Sequence, residues 1–220
     1  MSKHNSKNQF ISNIINAVPS GILLCIGCAV SMSVESKALG AFLFSLGLFL
    51  IIRFKLGLYT GKAGYISTNP PSYLIEVGLT IIGNIIGTAL GGTLLYFTRF
   101  GVSFSEKASA VMASKMSDSP VSMFILAVFC GILMYSAVEG SKRASQNRDF
   151  ISGLFAVVMP VMVFILCGFN HCVADMSYFF ISGCHNPESA PLYFTAVILG
   201  NALGCNLIPL FARLSKYTSH

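Results

Sequence analysis

Ionisable side chains are rare in the long apolar segments of this sequence, and one of them is a histidine. His171 lies in a Gly-Phe-Asn-His string directly after an apolar segment, whereas the other three histidines lie in the tails and in a loop. An imidazole gains or loses a proton near neutral pH, so it is suited to passing a proton to a small molecule. A second interpretation stays open, in which a neutral His171 only bonds a carbonyl group left free at a helix break.

A second polar site follows an earlier apolar segment, in the string Leu-Tyr-Thr-Gly-Lys. Thr60 could offer its hydroxyl group to an ion, or it could cap the short helix that follows. Asp175, four residues after His171, is expected to cap the half-helix that begins there, although a proton relay stays open. The N termini of such half-helices would present positive dipole ends to an anion.

Asn84 and Asn201 lie inside two further apolar segments, each in a Gly-Asn-x-x-Gly string. Their amide groups could line a pore or could form hydrogen bonds between helices. Large apolar residues near the polar sites are candidates for narrow gates on either side of the centre, although most phenylalanines in such a chain face lipid or the core. These candidates are Phe44, Leu48, Leu58, Tyr59 and Phe164.

The elements that hold these residues are predicted to be membrane-spanning helices. Of the 220 residues, 54% are apolar and 10% are charged, compared with about 25% charged residues in a typical soluble domain. A helix needs about 20 apolar residues to cross a bilayer, so the length suits about six spans. The apolar segments lie at about 17–34, 38–55, 73–98, 121–138, 150–167 and 190–214.

The sequence therefore predicts an all-α polytopic membrane protein with one six-span domain over 17–214. A cytosolic segment over 1–16 precedes this domain, and a cytosolic tail over 215–220 follows it. The second and fifth segments run into glycine-containing or polar strings, which indicates broken helices. Such backbone is tolerated at membrane depth only where protein or a water-filled cavity satisfies its polar groups.

The two halves of the sequence resemble each other. An Asn-Pro pair precedes both the third and the sixth segments, and this pair and the Asn84/Asn201 pair share an offset of 117 residues. The halves, at about 17–98 and 121–214, each hold three spans, so they must cross the membrane in opposite directions. Duplicated broken helices in such inverted repeats indicate a transport site near the midplane. Chance recurrence of small-residue patterns in closely packed helices is the alternative.

The distribution of charges and the cysteine content limit where the protein can lie and which reactions it can perform. With the N terminus in the cytosol, ten of the 14 lysines and arginines fall on the cytosolic side. This distribution predicts a protein of the inner (plasma) membrane whose two termini both lie in the cytosol. Such anchoring explains the net charge of +6 without a nucleic-acid partner. No paired carboxylates or nucleophile–base set lies in the spans, so neither an enzyme nor a cofactor is predicted. The pair Cys25-x-x-Cys28 keeps open a membrane redox or structural protein without transport.

One string after the fifth segment resembles a motif of the formate/nitrite transporter family. The family motif is of the type Gly-Phe-Glu-His-Ser-Val-Ala-Asn-Met, and this sequence has Gly168-Phe169-Asn170-His171-Cys172-Val173-Ala174-Asp175-Met176. Leu58-Tyr59-Thr60-Gly61 resembles the Leu-Phe-Thr-Gly string of the family's second helix, and the string around Asn201 resembles its sixth-helix motif. Six spans, inverted halves and cytosolic termini agree, so the resemblance covers nearly the whole chain.

The resemblance implies an aquaporin-like protomer in a homopentamer, with a pore for small monovalent anions in each protomer. It implies that His171 is the central pore histidine, with Thr60 opposite it, and that the apolar gate candidates are the constrictions. Asn170 would join Asn84 and Asn201 in lining the pore. Lys115 is the candidate for the family's vestibule lysine, although strict spacing places Ser119 there.

Four departures from the family motifs leave the substrate open. Asn170 replaces the glutamate before the pore histidine, and Asp175 replaces the asparagine after it. Gly57 stands where the family has an acidic residue, and Tyr135 stands where asparagine is usual.

The implied function is permeation of the anion of a weak acid, formate or nitrite in the first place. Stripping a charge of its water is costly, whereas the neutral acid crosses an apolar gate more easily. Proton donation at or near His171 would therefore make transport faster at acid pH. The partners would be small anions, protons and the lipid bilayer, and a hydrosulfide or acetate channel on the same fold is the alternative.

Overall fold

The computed structural model describes residues 3–217, and this part of the chain is helical and contains no strand. It forms nine α-helices and one short 3-10 helix, Ile66–Thr68. The α-helices are α1 Lys3–Ser33, α2 Lys37–Arg53, α3 Tyr59–Ala63, α4 Tyr73–Tyr96, α5 Gly101–Met116, α6 Pro120–Gln146, α7 Phe150–Leu166, α8 Cys172–Ile181 and α9 Ala190–Tyr217.

Local sequence signals start three of these helices. The side-chain oxygen of Ser36 accepts a hydrogen bond from the backbone N–H of the third residue after it, and Ser119 and Asp149 do the same at the starts of α6 and α7. Pro120 follows Ser119 at the first position of α6, where its missing N–H costs nothing. These caps satisfy donors that the first turn of a helix leaves free.

In the part of the chain that the structure describes, four helices are long and apolar enough to cross a membrane: Asn8–Ser33, Tyr73–Tyr96, Pro120–Gln146 and Ala190–Ser215. They correspond to the first, third, fourth and sixth predicted segments. The other two segments are interrupted, since residues 54–58 separate α2 from α3 and residues 167–171 separate α7 from α8.

The two interruptions close with the same hydrogen bonds. The N–H of Leu56 donates to the carbonyl of Ile51 at 2.9 Å, and the N–H of Phe169 donates to the carbonyl of Phe164 at 2.9 Å. The residue before each donor has a positive φ, 54° at Lys55 and 71° at Gly168. This left-handed residue ends a helix and turns the chain back on itself.

Close packing of two helix pairs, α1 with α4 and α6 with α9, surrounds the interruptions. A Cβ atom added to Gly87 would lie 2.0 Å from the carbonyl oxygen of Val18, and one added to Gly204 would lie 2.0 Å from that of Val128. Only glycine permits these backbones to approach so closely.

Helices α1, α5 and α9 lie outside the predicted apolar segments or run beyond their ends. Helix α5 was not predicted, because residues 101–116 mix small, polar and charged residues without a long apolar run. Helix α1 continues through residue 16, so the expected boundary between a cytosolic segment and the first span is not a helix end. Helix α9 reaches Tyr217, while the last residues of the predicted tail, like residues 1–2, lie outside the described residues.

We expect Gly87→Ala to destabilise the protein by about 2 kcal/mol or more, because the added methyl group meets the backbone of α1. Gly78→Ala in the same helix is the matched control, since no atom lies within 4 Å of its added Cβ. Thermal unfolding in detergent measures both. Equal melting temperatures for the two variants would contradict the assigned contact.

Candidate functional site

The starts of α3 and α8 bring His171 and Thr60 together. The Thr60 hydroxyl oxygen lies 3.2 Å from Nε2 of His171, although the residues are 111 positions apart in sequence. Thr60 is 1% exposed and His171 is 2% exposed. The expected pairing of these two side chains is therefore present in the structure.

The other imidazole nitrogen fixes the role of His171 in this contact. Nδ1 accepts a hydrogen bond from the backbone N–H of Ala174 at 3.1 Å, so His171 is itself the N-cap of α8. In a neutral imidazole whose Nδ1 accepts, Nε2 carries the hydrogen and donates to Thr60. The hydroxyl hydrogen of Thr60 is then available to a third group.

Asp175 does not cap α8, so that expectation was wrong. His171 occupies the capping position, and Thr60 does not cap α3, where the N-cap Leu58 makes no side-chain bond. The Asp175 carboxylate instead lies 3.0 Å from the Lys115 ammonium group and accepts a 2.8 Å hydrogen bond from the Tyr193 hydroxyl. Tyr193 carries no local signal in the sequence that would have identified it.

Asn84 and Asn201 hold the two interruptions in the same way. Oδ1 of Asn84 accepts from the N–H of Tyr59 at 2.9 Å, and its Nδ2 donates to the carbonyls of Ala17 and Gly57. Both asparagines are fully buried. The corresponding bonds of Asn201 are with the N–H of Cys172 at 2.9 Å and the carbonyls of Ala127 and Asn170 at 2.8 Å. The sequence left open whether these amide groups line a pore or form hydrogen bonds between helices, and the structure favours the hydrogen bonds.

A cavity of about 520 Å³, here named the Lys115 cavity, is bordered by Ala174 and Asp175 at the start of α8 and by Lys115 of α5. Its apolar wall includes Phe44 and Phe164, whose ring centres are 5.8 Å apart in an edge-on arrangement. The Phe164 ring centre is 5.6 Å from that of His171. Phe164 therefore borders the cavity and also contacts the His171 ring, while a gating role for Phe44 and Phe164 stays a prediction.

Lys115 reaches from α5 to the interruption before α8. Its ammonium group donates to the carbonyl of Phe169 at 3.1 Å and to Oδ1 of Asn170 at 3.0 Å, in addition to its contact with Asp175. Ser119, the alternative position for a vestibule lysine, is the N-cap of α6. The structure thus places Lys115 rather than Ser119 at the cavity wall.

A second cavity of about 480 Å³, the Arg53 cavity, lies between the end of α2, the end of α6 and the start of α7. Four cations and one carboxylate border it: Arg53, Lys55, Lys142, Arg148 and Asp149. Lys55 and Arg148 both have positive φ and follow the ends of α2 and α6. The turns that end these helices therefore present basic side chains to the cavity.

The remaining gate candidates, Leu48, Leu58 and Tyr59, are buried but border neither cavity. The Tyr59 hydroxyl donates to the carbonyl of Ile198 in α9 at 3.0 Å. A constriction at these residues stays a prediction. The thiol of Cys205, which the sequence did not single out, donates to the Thr60 carbonyl and helps hold that residue.

The residues that suggested redox chemistry make ordinary backbone contacts. The thiol groups of Cys25 and Cys28 donate to the carbonyls of Thr88 and Ala174. Within the described residues, no group of three histidine, cysteine or acidic side chains could hold a metal ion.

Comparison with known proteins gives a family match over most of the chain. Residues 1–214 match the family described as "Formate/nitrite transporter". The chain is 26% identical over 196 residues to formate channel FocB of Escherichia coli (strain K12), which covers 79% of this chain and 67% of that protein. It is 31% identical over 152 residues to the uncharacterized transporter YrhG of Bacillus subtilis (strain 168), which covers 64% and 56%.

Solved structures with the same fold include a "Pentameric formate channel with formate bound", at a TM-score of 0.74 and 21% identity over 96% of this chain and 98% of that one. An "FNT family ion channel" matches at a TM-score of 0.79 and 18% identity, over 99% and 92% of the two chains. The relatives are named as channels and a transporter rather than as enzymes, in agreement with the sequence-based prediction.

We expect Asn201→Leu to destabilise the protein, because it leaves the N–H of Cys172 and the carbonyl of Asn170 buried without this partner. Each such group costs about 1–3 kcal/mol. Thr88→Val is the control, since the Thr88 hydroxyl bonds only carbonyls of its own helix. Thermal unfolding and amide hydrogen exchange at the start of α8 measure the effect. A variant as stable as the control would contradict this anchoring role.

Proposed function

The chain belongs to the formate/nitrite transporter family, and we propose that it forms a transmembrane channel or transporter for small monovalent anions of weak acids. Formate and nitrite are the first substrates to test. The observation that carries the proposal is the buried His171–Thr60 pair, whose histidine ring contacts Phe164 at the wall of a cavity that contains a lysine. The family assignment agrees with the resemblance seen in the sequence.

The proposed path links the two cavities through the His171–Thr60 pair. An anion enters the Lys115 cavity or the Arg53 cavity, where basic side chains offset part of the cost of leaving bulk water. Beyond the Lys115 cavity it meets the rings of Phe44 and Phe164, which offer no hydrogen bonds. A desolvated charge is unstable there, whereas the neutral acid is not.

Proton-linked permeation at His171 is the mechanism we propose for this barrier. The Nε2–H of the histidine bonds Thr60, whose hydroxyl hydrogen is free to turn toward an arriving anion. An anion held in this way takes up a proton at or near His171 and leaves as the neutral acid. A proton from cavity water then restores the Nε2–H, so the imidazole is neutral before and after the step. Transport should therefore be faster at acid pH, where the weak acid is protonated more often.

We also propose that the protomer consists of two inverted three-helix repeats with broken second and fifth helices. Matching contacts support this proposal. Asn84 and Asn201 bond corresponding backbone groups, and a Cβ atom added to Gly87 or Gly204 would lie at the same distance from a carbonyl oxygen of α1 or α6, respectively. The helix-ending bonds at the two interruptions also correspond.

The proposed assembly is a homopentamer in the inner (plasma) membrane, with both termini in the cytosol. The pentameric state of one matched structure supports it, as do large apolar side chains exposed along α4, α6, α7 and α9. In this orientation, which the excess of lysine and arginine on one side supports, the Arg53 cavity would face the cytosol and the Lys115 cavity the outside.

We expect His171→Asn to reduce formate flux into proteoliposomes about a hundredfold and to flatten its rise between about pH 8 and about pH 5. Asparagine can still accept the hydrogen bond from Ala174 and cap α8, but it cannot exchange a proton. His171→Ala, which loses both roles, provides the comparison. Unchanged rate and pH dependence in the asparagine variant would overturn the proposed role of the imidazole.

We expect Phe164→Ala to widen the aromatic barrier, so that acetate flux rises relative to formate flux. Phe155→Ala on the same helix is the control, because the Phe155 side chain is 53% exposed and borders neither cavity. Flux of both anions in parallel proteoliposomes gives the ratio. An equal acetate-to-formate ratio in the two variants would exclude Phe164 as a size barrier.

A further inference from the structure

The lysine of the Lys115 cavity already holds a carboxylate that belongs to the protein. The Lys115 ammonium group lies 3.0 Å from Oδ1 of Asp175, and the other carboxylate oxygen accepts the 2.8 Å hydrogen bond from Tyr193. The side chains of Lys115 and Asp175 are 15% and 2% exposed. The Asp175 carboxylate is therefore bound as a ligand would be, between a cation and a hydroxyl donor.

This bound group has the same chemistry as the carboxylate of formate. Asp175 and the neighbouring Ala174 border the Lys115 cavity, so the site is within reach of an anion that enters there. Two carboxylates cannot both keep their charge on one ammonium group in a partly buried site, because their repulsion is large at low dielectric. Occupancy by Asp175 and occupancy by a free anion therefore exclude each other.

We propose that Asp175 is a tethered competitor for the transported anion, and that an anion binds Lys115 only when Asp175 is uncharged. This inference rests on the proposed function and deepens it by naming a residue that sets anion affinity. Protonation of Asp175 releases the positive charge of Lys115. The anion then binds the Lys115 ammonium group from the cavity.

Lys115 does not need Asp175 to stay in place. Its ammonium group also donates to the carbonyl of Phe169 and to Oδ1 of Asn170, and both of these acceptors are neutral. Asn170 is held in turn by its own bond to the carbonyl of Met123. Asn170 and Asp175 are two of the departures from the family motif. Lys115 therefore has a neutral partner before His171, at Asn170, and a charged partner after it, at Asp175.

Other titratable groups face Asp175 and belong to several elements. They come from α1, α5, α6, α9 and α8 with its N-cap: Cys28, Lys115, Cys130, Tyr193, His171, Cys172 and Tyr178. Lys115 forms the ion pair with Asp175, so the charge on Asp175 decides how much of the Lys115 charge an arriving anion meets.

The test measures formate flux against formate concentration in proteoliposomes with Asp175→Asn. At about pH 7.5 we expect the half-saturating formate concentration to fall about tenfold relative to the unmodified protein, which is within the usual range of coupling between neighbouring sites. Near pH 5 the two proteins should converge, because Asp175 is then protonated more often. Glu106→Gln, an exposed carboxylate-to-amide change on α5, is the matched control and should behave as the unmodified protein.

The double variant Asp175→Asn with Lys115→Gln separates competition from a structural ion pair. The comparison is made near pH 5, where Asp175 of the unmodified protein is protonated more often. If the two charges only stabilise the fold, this neutral pair has the half-saturation of the unmodified protein at that pH and overturns the proposal. If Lys115 is the anion site, the half-saturating concentration of the double variant near pH 5 is well above that of the unmodified protein. An unchanged half-saturation in Asp175→Asn alone also overturns the proposal.

A second measurement does not alter Asp175. Lys115→Gln should weaken formate binding strongly near pH 5 and little near pH 8, where the unmodified lysine is already occupied. An equal loss at both pH values would overturn the proposal. Flux by the unmodified protein distinguishes failure of the proposed function from failure of this inference. If the unmodified protein carries none of the tested anions, the proposed function fails. If it carries them and Asp175→Asn has the same half-saturating concentration, only this inference fails.

Discussion

The structure depends on satisfying backbone polar groups where two helices stop inside an apolar environment. An unpaired N–H or carbonyl group in such a place costs several kcal/mol, and little water is available to bond it. Each interruption meets this constraint with one asparagine, whose amide has one acceptor and two donors to offer. Asn84 and Asn201 use them on one N–H group and two carbonyl groups each.

The geometry of the site follows from this anchoring. An asparagine on α4 can reach a carbonyl of α1 only because glycines let these backbones touch, and the same holds for α9 and α6. Each asparagine also fixes the first N–H of a short helix. The two short helices therefore start close together at the centre of the bundle, where Thr60 and His171 meet.

Much of this arrangement could be predicted from the sequence, because its causes are local or repeated. Long apolar runs, glycine-containing interruptions and the recurring Gly-Asn-x-x-Gly string predicted the long helices and the two breaks. The motif resemblance predicted that His171 would lie opposite Thr60. Helix α5 escaped prediction because contacts with α8, α4 and α1 support it rather than a long apolar run of its own.

The role of Asp175 could not be predicted either, because its partners come from distant parts of the sequence. A carboxylate in the first turn of a helix usually serves the helix start, and that rule gave the wrong partner here. His171 had already taken the capping position, and a lysine from a distant helix holds the carboxylate. Tyr193 completes the cluster across a contact that no spacing rule describes.

The unequal charge of the two cavities has a consequence for transport from the two sides. Four cations and one carboxylate border the Arg53 cavity, whereas in the Lys115 cavity one of two lysines is neutralised by Asp175. On the proposed path, the local anion concentration should therefore be higher at the more basic mouth, over a screening distance of about 8 Å at physiological salt. A passive pore has the same permeability from both sides at low anion concentration, but the half-saturating anion concentration would be lower from the more basic side. This difference would fade as salt screens the basic mouth.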